Sequence, residues 1–104
     1  MTNYEYNKER LENGLASLRI PPHMHNGIKR YVLDGIPIGD FGRMLLSNDL
    51  MGCVGRADSE NQYAIAEWCK LLYNYVPAGC YGSPEAYSAW LASGGIKGQE
   101  SEAA

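Results

Sequence analysis

The loop Gly79-Cys80-Tyr81-Gly82-Ser83-Pro84 is the stretch of this chain best suited to holding a ligand. Glycines let the backbone approach a bound group closely, and N–H groups at a helix start attract anions. Tyr81 offers a face on which a base can stack. The loop lacks the GxxxxGK[ST] spacing and the lysine of a phosphate loop, and loops of this make-up mostly join helices. Arg56-Ala57-Asp58 offers an arginine to a phosphate or carboxylate. Equally, Arg56 answers the dipole at a helix C-terminus and Asp58 caps the helix that follows. Ser47-Asn48-Asp49 is polar inside the most apolar run: either a hydrogen-bonding station for a ligand, or a structural amide with Asp49 solvated. Tyr73 and Asn74 point away from the apolar stripe of their helix, to line a groove with Tyr81 or to face solvent.

Other chemistry is poorly supplied. His23 and His25 do not have the i,i+4 spacing of a helical metal pair, and no third ligand is evident. Cys53, Cys69 and Cys80 are odd in number and without CxxC spacing, which suggests neither a disulfide framework nor a zinc site. Cys80 is the most reactive-looking thiol because it sits on a loop, but no histidine lies near it in sequence. The apolar faces carry no paired carboxylates for acid–base work. The expectation is a non-enzymatic protein with no metal and no cofactor.

A chain of 104 residues has the usual size of one domain. A hydrophobic content of 45% argues against disorder, and a formal net charge of −3 argues against broad binding to nucleic acid. Neither excludes one small anion in one pocket. The polar, charged stretch Met1 to Arg10 is unlike a signal peptide, and no apolar run approaches a membrane span. These features predict a reduced, cytosolic, soluble protein. Eight tyrosines and two tryptophans exceed the obvious needs of one small core, which leaves room for a homo-oligomer interface.

The elements that must position these residues read as helices. Residues 1–19 are a polar arm or marginal helix (Tyr4 to Glu12), with Leu11, Leu15 and Leu18 able to dock one side and Asn13-Gly14 as a turn signal. Residues 20–93 form the helical core. His23 to Asp34 places Met24, Ile28, Tyr31 and Val32 on one face, and Gly35 with Pro37 closes it. Asp40 is the expected N-cap of a central helix running to Val54, apolar nearly all round, with Asn48 on a buried stripe. Asp58 caps a helix to Tyr75 that buries Ile65, Trp68, Leu72 and Tyr75. Ser83 and Pro84 start a last helix to Ala92, with Tyr87, Trp90 and Leu91 inward. Residues 94–104 are expected to be a disordered tail. The fold class is all-α: a compact bundle of four to five helices around the central apolar helix.

RYVLDGIPIGDFGRMLLSNDL, GRADSEN and LYNYVPAGCYGSP resemble a group of small bacteriophage and prophage proteins over roughly Ile20 to Leu91. The resemblance implies the cytoplasm of an infected host bacterium, where small non-enzymatic phage proteins often oppose defence. Its polar signature suits a small anionic, nucleotide-like ligand: Arg30 and Arg56 for phosphate, the amides Asn48, Asn61 and Asn74 for base edges, and the tyrosines Tyr31, Tyr73 and Tyr81 for stacking, with Asp49 in the same hydrogen-bonding station as Asn48. The backbone of Gly79, Gly82 and Ser83 completes the set, if these groups converge on one site. The expected function is a phage anti-defence protein that sequesters a nucleotide-derived immune signal without turnover. The alternative is a protein–protein inhibitor or adaptor acting on a host defence or phage enzyme.

Overall fold

Asp58 caps a helix as its sequence position predicts: its Oδ1 accepts the Asn61 backbone N–H at 2.7 Å. Ser83 does the same for Ala86 at 3.0 Å, with Pro84 in the first helical turn. Such local punctuation divides the chain. The computed structural model describes residues 1–103, with side chains through Ser101, and is all-helical over that span. In order come α1 (Asn3–Ser17), α2 (His25–Asp34), α3 (Asp40–Leu46), α4 (Leu50–Arg56), α5 (Ser59–Tyr63), α6 (Ile65–Tyr75), α7 (Pro84–Ser93) and α8 (Gly95–Ala103). A 3₁₀ turn at Pro22–Met24 leads into α2, and another at Ala78–Cys80 precedes α7.

The expected single helix from Asp40 to Val54 is two helices. Asn48 takes the left-handed conformation (φ 61°). Its N–H bonds the Leu45 carbonyl at 3.1 Å and the Asp49 N–H bonds the Met44 carbonyl at 2.9 Å. This is a Schellman stop with asparagine in the glycine position. The Asp49 carboxylate then accepts the Gly52 N–H at 2.8 Å and opens α4. Asn48 is therefore an exposed turn residue and not a buried amide. The helix expected from Asp58 to Tyr75 is likewise broken at Ala64 into α5 and α6; these two breaks and the added α8 give eight helices among the described residues in place of the expected four to five. Gly39, one residue ahead of the expected Asp40, holds the N-cap position of α3.

Both chain ends join the body. Far from being marginal, α1 runs through Asn13-Gly14 and buries Leu11 and Leu15. A Cβ at Gly14 would stand 2.5 Å from the Tyr75 ring, so glycine there lets α1 lie close on α6. The expected disordered tail forms α8, anchored by buried Ile96; its final residue, Ala104, lies outside the described residues. The Glu100 carboxylate accepts the Tyr4 N–H at 2.7 Å, tying α8 to α1. At the start of α8, a Cβ on Gly95 would stand 2.5 Å from the Gly35 nitrogen. Gly35 (φ 66°) and Gly95 (φ 69°) both adopt left-handed backbone at that crossing.

Trp68 and Tyr31 are the largest fully buried side chains. Burying Trp68 contributes roughly 4–6 kcal/mol as an upper bound on area grounds. Its indole N–H donates to the Asn61 Oδ1 at 2.9 Å, and its ring meets Phe41 edge-on. Trp90 donates to the Tyr31 and Val32 carbonyls at 3.1 and 3.2 Å. It thereby satisfies the Val32 carbonyl that the last turn of α2 leaves open, and shares the Tyr31 carbonyl with the Gly35 N–H.

Candidate functional site

The sequence-derived site residues fall into two surface clefts and a structural set. The first cleft, of about 450 Å³, opens between α2, the start of α3 and the α4–α5 joint. Arg30, Arg56 and Asn61 line it together with His23, Asn26, Gly27 and Asp40. His23, Asn26, Gly27 and Arg30 lie at i, i+3, i+4 and i+7, so one polar face of the α2 region forms a wall. That periodicity was available in the sequence, and it would have added His23 and Asn26 to the candidates.

Charge in this cleft is unevenly committed. Asp58 accepts the Asn61 backbone N–H and lies 3.0 Å from the His23 Nε2; these contacts hold its carboxyl below the usual carboxylate range. The second His23 nitrogen lies 3.6 Å from Glu60. Asp40 lies 3.7 Å from Arg43. Arg30 and Arg56 take part in no ion pair or side-chain hydrogen bond among the described residues. Both are exposed. Asn61 contributes its flank to the wall, but its side-chain oxygen is spent on Trp68 and the residue is only 2% exposed.

The second cleft, a groove of about 230 Å³, lies between the α3–α4 turn and α6. Asn48, Asp49, Tyr73 and Tyr81 line its mouth; Leu45, Leu50, Cys53, Ile65, Cys69 and Leu72 form its walls. The sequence-based pairing of Tyr73 with Tyr81 along a groove is present. Burial raises the Cys53 thiol pKa, with smaller contributions from nearby Cys69 and Asp49.

The remaining candidates do structural work. Tyr31 is fully buried; its hydroxyl donates to the Cys80 carbonyl at 2.7 Å and its ring stacks on Tyr87 at 5.2 Å. The Gly82 N–H bonds the Leu46 carbonyl at 2.9 Å, and Ser83 caps α7. The glycine-rich loop is thus tied to α2 and α3, and Tyr81 is its one side chain facing a cleft. Gly79 is exposed beside Trp90 and lines neither cleft. Asn74 donates to the Lys70 carbonyl, while its own carbonyl accepts Arg10. The arginines and the tyrosines therefore do not share a cleft.

Cys80, the thiol that looked most reactive, is fully buried, and desolvation pushes its pKa up to about 12. The exposed thiol is Cys69. Among the described residues no group of three or more His, Cys, Asp or Glu side chains gathers to hold a metal ion. No described helix is long and apolar enough to cross a membrane. No family model, curated protein or solved structure significantly matches the chain.

Proposed function

We propose that this chain is a phage-encoded, non-catalytic binding protein that sequesters a small anionic, nucleotide-derived signal in the cleft around Arg30 and Arg56. The observation that carries the reading is that two arginines with no ion-pair partner among the described residues line one cleft of nucleotide scale. Guanidinium groups take phosphate oxygens in bidentate geometry, and the cleft volume lies within the range of small-molecule sites. The proposed setting, the cytoplasm of an infected bacterium, follows from the resemblance to phage proteins.

The test is a thermal-shift screen with cyclic dinucleotides and trinucleotides, cyclic ADP-ribose isomers, NAD-derived conjugates and plain nucleotides. A ligand at about 100 times its dissociation constant adds about 2.7 kcal/mol, a shift of many degrees for a domain of this size. The ligand is recovered intact, and Arg30→Glu with Arg56→Glu removes the shift while leaving the unliganded melting temperature unchanged. Absence of any shift, or a shift that survives both substitutions, refutes the arginine cleft. Consumption of the ligand makes the protein an enzyme.

One observation favours the second reading, a protein–protein inhibitor or adaptor. Leu50, Met51 and Val54 on α4 and Tyr73 on α6 are 65, 82, 45 and 79% exposed, an apolar surface of the kind that marks interaction sites.

A further inference from the structure

We infer that the cleft around Arg30 and Arg56 holds the planar ring of its nucleotide flat against the bare backbone of α2 at Gly27, with the Asn26 amide on the ring's edge and Arg30 on the phosphate. The inference rests on the ligand reading above and adds the base subsite that it lacks, since none of Tyr31, Tyr73 and Tyr81 lines this cleft.

The fold does not require glycine at position 27. Gly27 lies inside α2 and is not among the glycines with left-handed backbone. A Cβ added there would meet only the Ile38 side chain, at 3.8 Å, an ordinary contact. Alanine would therefore fit, and glycine inside a helix is the less stable choice. Gly42, on the same cleft, is the contrasting case: a Cβ there would stand 2.6 Å from Ile38, so packing demands the glycine. What Gly27 supplies is space. It lines the cleft, and a missing side chain lets a bound group reach the backbone itself. Gly39, at the start of α3, lines the cleft from a different element and is bare too. A Cβ there would meet nothing within 4 Å, and its φ of −64° is open to any residue.

The neighbours of Gly27 fix how a nucleotide lies. Arg30 follows it on the same face, after a helix rise of roughly 5 Å, room for a sugar between the ring and its phosphate. Asn26 is exposed and makes no side-chain hydrogen bond among the described residues, so its amide has a donor and an acceptor for the edge of a base. At the other end of the face His23 lies 3.0 Å from Asp58 and 3.6 Å from Glu60. Two carboxylates gathered there repel a phosphate, and the two arginines attract it, so the phosphate points toward Arg30 and Arg56.

The test compares wild type with Gly27→Ala and Gly27→Leu by titration calorimetry. The probes are the nucleotides of the thermal-shift panel, with inorganic pyrophosphate as the base-free control. Without ligand, Gly27→Ala melts about 2–6 °C above wild type, because alanine is the better helix former and nothing obstructs it. Binding moves the other way: Gly27→Leu holds the nucleotide that wild type prefers at least about 10-fold more weakly, while it binds pyrophosphate as wild type does. A Gly27→Ala protein that melts below wild type shows that the fold needs the glycine and overturns the inference. Nucleotide binding untouched by Gly27→Leu also overturns it, as does a wild type that binds no nucleotide more tightly than pyrophosphate. In those cases the arginine cleft stands if Arg30→Glu with Arg56→Glu abolishes the binding that remains. A wild type that binds none of the probes overturns the ligand reading and this inference together.

Discussion

Replacing Asn61 by alanine separates a structural role from a ligand-binding one. Asn61 sits at 2% exposure with its side-chain oxygen 2.9 Å from the indole nitrogen of fully buried Trp68. The substitution leaves that N–H without a partner, at about 1–3 kcal/mol. The atoms removed from a closed site add roughly 1 kcal/mol more. A total of about 2–4 kcal/mol lowers the melting temperature of a domain this size by about 10–20 °C. Tryptophan fluorescence and far-ultraviolet circular dichroism, followed through thermal and urea unfolding, measure it. Trp68→Phe removes the donor, so the double-mutant cycle isolates the hydrogen bond, with an expected coupling of about 1–2 kcal/mol. An Asn61→Ala protein melting within about 2 °C of wild type, or a cycle with no coupling, refutes the reasoning. A residue acting only on a ligand would leave the unliganded melting curve where it was.

The thiols provide a second check. At pH 8 the thiolate fraction of Cys80, with its pKa pushed up to about 12, is about 1,000-fold below that of an ordinary thiol. Cys69 therefore reacts quickly with a thiol reagent in the native protein, while Cys53 and Cys80 react only on unfolding; mass spectrometry of the labelled peptides reads the difference. Acid stability provides a third. The Asn61 N–H and His23 depress the carboxyl pKa of Asp58, and the Arg19 N–H and Lys70 depress that of Glu67. Groups with lowered folded pKa contribute stability that is present above the ordinary carboxylate range and lost as pH falls through the depressed values. The urea midpoint accordingly drops between neutral and acid pH, and Asp58→Asn with Glu67→Gln makes the drop shallower.

Much of this fold was legible in local chemistry. Gly35 as a left-handed stop, Asp58 and Ser83 as caps, Pro84 at a helix start, and the inward faces of Trp68, Tyr87 and Trp90 all depend on a few neighbouring residues. The break at Ser47-Asn48-Asp49 was legible only in part. Asparagine enters the left-handed region at small cost, so the same tripeptide is compatible with a continuous helix or with a stop and a restart. Packing on α6 and the Leu46–Gly82 bond accompany the second choice here.

By itself the sequence determined the all-helical class, the helix ends marked by Gly35, Asp58 and Ser83, and the main apolar faces, because those follow from periodicity and from side chains capping their own backbone. Only the tertiary structure decided what the polar residues are for. Tyr31 became core because the Cys80 carbonyl, far along the chain, accepts its hydroxyl. Asn61 was taken by Trp68. Arg30 and Arg56 were brought to one cleft, and Tyr73 and Tyr81 to another. The C-terminal residues became α8 because two glycines, Gly35 and Gly95, leave room for two backbones to touch. A periodicity shows which face of a helix is apolar, but the partner across that face is set by contacts between residues distant in sequence, and those form only when the chain folds.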